Sequence, residues 1–118
     1  MKEMIYTIGA TDIMAEESYE CAITWAEYGD IDVAISKGID LARELSTDNE
    51  IYNVSVYGGE YKDENGNVFG EPYDMFTISS KDKDTTIKAR TEMNYCKGEV
   101  DAYVENGQVT YENEFFQL

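Results

Sequence analysis

The stretch "DIDVAISKGIDLARELSTDN", from Asp30 to Asn49, constrains the fold of this chain more than any other. Ile31, Ala34, Ile35, Gly38, Leu41, Ala42 and Leu45 recur at three-and-four spacing, which gathers them on one stripe of a helix. Asp30 can cap the first turn and "STDN" supplies the stop. Gly38 lies on the apolar stripe, where helix propensity disfavours it by about 1 kcal/mol relative to Ala. A glycine there makes sense if the helix must approach a sheet closely, so the stripe predicts a helix laid on strands.

The flanking segments supply those strands. Residues 4 to 13 are rich in Ile, Tyr and Thr; "MAEES" breaks the run, and Tyr19, Cys21, Ile23 and Trp25 then alternate with Glu20, Ala22, Thr24 and Ala26. This predicts a first hairpin. After the helix, Tyr52, Val54 and Val56 share one face, the chain turns around Asn65-Gly66, and "YDMFTIS" returns with Phe76 and Ile78 inward. "SKDKDTTIKARTEMNYC" and "GEVDAYVENG" read as two shorter helices split at Gly98, the second stopped by Gly107, and "QVTYENEFFQL" as a last strand or extended segment. No repeat or linker marks a boundary, so residues 1–118 are expected to form a single α+β domain. Its expected order is ββαββαα, an antiparallel sheet of about four strands with helices on one face.

Composition bounds the function. The chain sets 25 carboxylates against 9 bases and has no His, for a net charge of −16. Ten Tyr, four Phe and one Trp supply more packing material than a disordered acidic chain would hold. No run is apolar enough for a secretion signal or a membrane span, which points to the cytoplasm. Cys21 and Cys96 form no C-x-x-C pair and have no His beside them, so two reduced, packed thiols are expected in place of a zinc site or disulfide.

Catalytic signatures do not assemble. Without His the Ser-His and Cys-His nucleophiles are excluded, and the commonest general base near neutral pH is missing. Gly58-Gly59 precedes Glu60-Tyr61 where a phosphate-binding loop needs Lys-Ser or Lys-Thr, and it reads as a bulge at a strand end. Asp63, Asn65 and Asn67 have the alternation of a calcium loop, but Val68 stands where that loop needs Gly and Asp74 where it needs Glu. The expectation is a protein that is not an enzyme, with no cofactor and no metal.

Charge then decides the partner. Phosphates and anionic membranes would be repelled, so a basic protein is favoured over direct nucleic-acid or membrane binding. Duplex DNA carries one charge per roughly 110 Å² of surface, whereas 25 carboxylates spread over a fold of this size give about one per 260 Å², so mimicry of DNA requires the acids to cluster. Residues 81–97 oppose the trend, with a net charge of +2; their bases Lys81, Lys83, Lys88, Arg90 and Lys97 form either a solvated face or partners for the acidic C-terminal segment.

A short, Tyr-rich, His-free chain with "MAEESYE" near one end and "EVDAYVENGQVTYENE" near the other resembles the small acidic proteins of phages and mobile elements that inhibit host defence enzymes, the anti-CRISPR and antirestriction proteins. The resemblance spans the chain in composition and rests on no shared motif. It implies a non-enzymatic inhibitor, a DNA mimic occupying the nucleic-acid groove of a basic defence nuclease. The alternative is a generic acidic α+β interaction module with a regulatory or assembly role, homodimeric in one form. An exposed apolar edge strand would favour that second reading. The surface expected to face a partner comprises Glu99, Asp101, Glu105, Glu112 and Glu114, with Val100, Tyr103, Val104, Phe115 and Phe116 as anchors, extended by Glu16, Glu17 and Glu20.

Reduction is expected to leave the melting temperature nearly unchanged, because Cys21 falls in the inward set of its alternating segment. A drop of many degrees on adding reductant would show a disulfide.

Overall fold

The computed structural model describes residues 3–14, 26–93 and 100–112. The alternating residues 19–25, both cysteines, Phe115 and Phe116 lie outside them. The elements are β1 (Glu3–Asp12), α1 (Ile31–Leu45), β2 (Tyr52–Lys62), β3 (Val68–Ser79), α2 (Lys83–Glu92), β4 (Ala102–Glu105) and β5 (Gln108–Tyr111). The strands form one mixed sheet in the order β1-β2-β3-β4-β5. Among the described residues the fold is therefore α+β, with five strands where about four were expected and the order βαββαββ where ββαββαα was expected.

The first helix follows its sequence signals. Asp30, in extended conformation, accepts from the Asp32 and Val33 amides, which closes the N-terminus. Ala34, Ile35, Gly38, Ile39 and Ala42 are buried, and they meet Ile8, Ala10, Val54, Val56, Phe76 and Ile78 in one core. Phe76, Ile78, Val54 and Val56 have no exposed surface. A side chain beginning at Gly38 would meet Ile78 Cδ1 at 3.2 Å and Val56 Cγ2 at 3.3 Å, so the helix backbone lies directly on the sheet there.

The two central hairpin strands are long and irregular. The β2–β3 turn is a three-residue loop: Gly66 N–H donates to the Asp63 carbonyl and Asp63 N–H to the Asn67 carbonyl, both at 3.0 Å, with Gly66 at φ 83°. The Asp63 carboxylate accepts from the Asn65 and Asn67 amides, each at 2.9 Å, so this residue fastens a turn. Register shifts fall between Val56 and Tyr57 and between Gly58 and Glu60. The glycine pair thus serves as a bulge, in the middle of the strand instead of at its end.

Three expectations are corrected. Residues 102–107, expected within a helix, instead form β4 and the turn of a hairpin whose second strand, β5, lies in the segment expected as a last strand: Asn106 and Gly107 both adopt positive φ, 51° and 80°, which is the two-residue turn that matches strand twist. Val104 pairs with Val109 and Tyr103 with Thr110, so β-branched and aromatic residues meet across the strands. Second, β4 runs parallel to β3, pairing at Ile78–Ala102 and Ser79–Tyr103. The connection through α2 is long enough for the crossover that a parallel pair requires.

Third, the helices do not share one face. Ile13, Ile51 and Ser79 alternate with the residues that meet α1, and α2 packs on this opposite set: Ala89 clusters with Ile13 and Ile51, and the Thr86 and Ser79 hydroxyls lie 2.6 Å apart. Lys81 Nζ donates to the carbonyls of Ser46 (2.6 Å) and Asp48 (2.7 Å), placing a cation just beyond the end of α1 and fixing the start of α2.

Gly38→Val is expected to destabilise the domain by roughly 2 kcal/mol or more through overpacking. Gly38→Ala should stay within about 1 kcal/mol of the parent, because improved helix propensity offsets the tight contact. Denaturant midpoints of both variants check this; equal stability of the valine variant would contradict the close approach.

Candidate partner-binding surface

The C-terminal hairpin carries the described part of the expected acidic strip. Val100, Tyr103 and Val104 are buried, as their anchoring role requires. Along β4 and the residue before it, Asp101, Tyr103 and Glu105 alternate onto the side away from α1, while Ala102 and Val104 enter the core. The structure thus puts Asp101 and Glu105 on the same side, about 13 Å apart along the strand, with buried Tyr103 between them. Glu16, Glu17, Glu20, Glu99 and Glu114 lie outside the described residues.

The three described acids differ in what holds them. Asp101 is built into the sheet: Thr77 N–H donates to its Oδ2 at 2.9 Å, its own N–H donates to the Thr77 carbonyl at 2.8 Å, and its carbonyl accepts from Glu112 N–H at 2.8 Å. Glu112 pairs with Lys83, Oε1 to Nζ at 2.7 Å. That contact raises the Lys83 pKa, through the hydrogen bond first and the carboxylate charge second. Glu105 accepts from the Thr110 hydroxyl at 3.3 Å. The turn beyond it is tethered by Arg43, whose Nε donates to the Gly107 carbonyl at 2.9 Å.

Lys81 and Lys83 of the opposing basic stretch are therefore fastenings within the domain. One binds the carbonyls beyond α1 and the other the acidic C-terminal segment, which is one of the two roles the sequence allowed.

Beside Asp101 stands Asp74, which the sequence offered only as the twelfth position of a calcium loop. Asp74 accepts from Thr77 Oγ1 and from Ser55 Oγ, at 3.0 Å each. Although the residue as a whole is exposed, partial desolvation of its carboxylate against Ser55 and Thr77 raises the Asp74 pKa; the Thr77 and Ser55 hydrogen bonds oppose this, and the charge of Asp101 adds to the rise. The two acids thus flank Thr77 on the polar side of the sheet. Among the described residues no group of three or more His, Cys, Asp or Glu could hold a metal ion, and no helix is long and apolar enough to cross a membrane.

The second acidic surface is the arm formed by the distal halves of β2 and β3. Residues 57–74 carry Glu60, Asp63, Glu64, Glu71 and Asp74 against Lys62 alone, a net charge of −4. Lys62 is engaged by Glu27 at 2.7 Å across an open cleft lined also by Met4 and Tyr28. Val68 through Asp74 are all exposed, including Val68 (45%), Phe69 (38%) and Tyr73 (57%). Pro72, the chain's one proline, sits within this strand. A proline inside a strand is the sequence signal of a sheet edge, and it was the available clue to this surface.

Comparison with known proteins found no matching family model, no significantly similar curated protein and no significantly similar solved structure.

A carboxyl whose folded pKa is raised binds its proton more readily in the native state than in the unfolded chain. Its contribution to stability therefore falls as pH rises from the unfolded value, near 3.8, through the folded one. Asp74→Asn should remove that component while leaving an acceptor for Thr77 and Ser55. The variant is expected to lose less stability than the parent between about pH 4 and pH 7. Denaturant titrations at the two pH values check this, and identical pH dependence would show that Asp74 is not desolvated.

Proposed function

We propose that this is a non-enzymatic acidic binder of a basic, nucleic-acid-handling protein, of the phage or mobile-element kind that inhibits a host defence nuclease. What supports the reading is the acidic β2–β3 arm, whose one base is occupied by Glu27. The C-terminal acids add to this, because Asp101 and Glu105 are held at defined positions by their own hydrogen bonds. Fixed charges of one sign steer association and select a basic partner. Averaged over 7344 Å² of accessible surface, 25 carboxylates give only about one per 290 Å², sparser than duplex DNA, so groove mimicry on this reading belongs to the arm and the C-terminal strip and not to the whole surface.

A second reading, a generic acidic interaction module of regulatory or assembly type, draws on a specific observation. The edge of β3 from Val68 to Asp74 is exposed and bears Val68, Phe69 and Tyr73. The first reading takes a basic partner that handles nucleic acid, and the second a regulatory or assembly partner, which in one form is a second copy of the chain.

The protein, immobilised and exposed to a bacterial lysate, is expected to retain nucleic-acid-binding proteins that duplex DNA displaces and that elute as salt rises. Combined Glu105→Gln and Glu114→Gln should weaken retention and flatten its salt dependence. Retention indifferent to both salt and DNA would overturn the nucleic-acid-handling partner.

A further inference from the structure

We propose that the outer edge of β3, from Val68 to Glu71, is a strand-addition site for an extended basic segment in which Lys or Arg alternates with apolar residues. The proposal rests on the reading of a basic partner and specifies how that partner is held. The strands β2 and β3 are 11 and 12 residues long, whereas β4 pairs with β3 only at Ile78 and Ser79. Among the described residues, then, no strand lies beside β3 from Val68 to Asp74, and all seven residues are exposed.

The polarity of this edge follows from the turn. Because Asp63 N–H bonds the Asn67 carbonyl, Asp63 and Asn67 form a hydrogen-bonded pair, and the next pair, Lys62 with Val68, is a non-bonded one. Val68 therefore directs both its N–H and its C=O away from β2. Phe69, opposite Tyr61, turns its carbonyl inward, so the planar trans peptide aims the Gly70 N–H outward. Two donors and one acceptor are thus presented in ladder geometry. The arm that presents them is shaped in advance: the Tyr61 and Phe69 rings stack with centroids 5.8 Å apart, and Gly70, at φ 100°, has no room for a side chain against the Gly59 carbonyl.

Charge selects the occupant. Pro72 ends the row of donors, and Glu71 and Asp74 beside it would meet their own kind if a second copy paired here, each copy carrying −16. The features that guard the edge against self-association attract a strand carrying Lys or Arg. Val68, on the face opposite Phe69, offers apolar contact to the alternate residues of that strand, the usual division in strand addition between backbone affinity and side-chain choice.

The probe is a capped eight-residue peptide of alternating Lys and Val, titrated into the full chain with amide exchange followed by NMR. At saturation the Val68 and Gly70 amides are expected to exchange at least tenfold more slowly. Glu71→Lys should weaken peptide binding several-fold while leaving the melting curve in place. Binding without slowed exchange at Val68 and Gly70 would exclude this edge but leave the basic-partner reading standing. Equal binding of an alternating Glu-Val peptide would overturn the selection by charge. Slow exchange of both amides without peptide, in a protein that sediments as a dimer, would make the occupant a second copy and overturn the proposal. Absence of any peptide binding would overturn it as well, whereas failure of the basic-partner reading would appear separately, as lysate capture indifferent to salt.

Discussion

The contact of α1 with β2 and β3 is the constraint on which the rest of this structure depends. Gly38 removes the one side chain that would hold the helix away from Val54, Val56 and Ile78, and the core closes around that approach. Because the helix covers one face along the middle of the sheet, strand register is fixed by which residues must face it. A slip of one residue would turn Val54, Val56, Phe76 and Ile78 to the other side. The cost of glycine in a helix is thus set against the burial of a continuous apolar face.

The opposite face is organised by polar contacts more than by burial of aliphatic surface. There α2 rests on Ile13 and Ile51, bonds Ser79 through Thr86, and is anchored at its start by Lys81 on the carbonyls beyond α1. Lys83 reaches Glu112, and the Asp101 carboxylate extends the bonding of Thr77 past the point where β4 begins. Charged groups in an acidic protein are commonly assigned to the surface and left there. Here several of them join the C-terminal hairpin to the main sheet, so the acidic character of this end is partly structural.

Bulges and strand length give the β2–β3 arm its separate character. Register shifts at Val56/Tyr57 and Gly58/Glu60 twist the hairpin as it leaves the helix-covered region, and its distal half has neither helix nor strand against the outer edge of β3 among the described residues. Exposed backbone edges are normally shielded, and Pro72, Glu71 and Asp74 shield this one by geometry and by charge. The same charges that keep the protein from pairing with itself define the chemistry of what it can accept.

The sequence by itself determined the elements whose signals are local. The three-and-four stripe placed α1, Asp30 capped it, alternation around Asn65-Gly66 placed β2 and β3, and Gly38 announced close packing. It also held a signal that competing periodicity obscured: Val100, Tyr103 and Val104 suit a helical side, yet Asn106-Gly107 makes a two-residue hairpin turn. The hairpin prevails because Ala102, Val104 and Val109 can join a sheet edge already present at Ile78. Only the tertiary structure decided that β4 lies parallel to β3, that the helices take opposite faces, that Asp74 and Asp101 flank Thr77, and that β3 outruns its neighbour. Each of these depends on which distant segments meet, and pairing between segments far apart in the chain leaves no period or cap in the residues of either one.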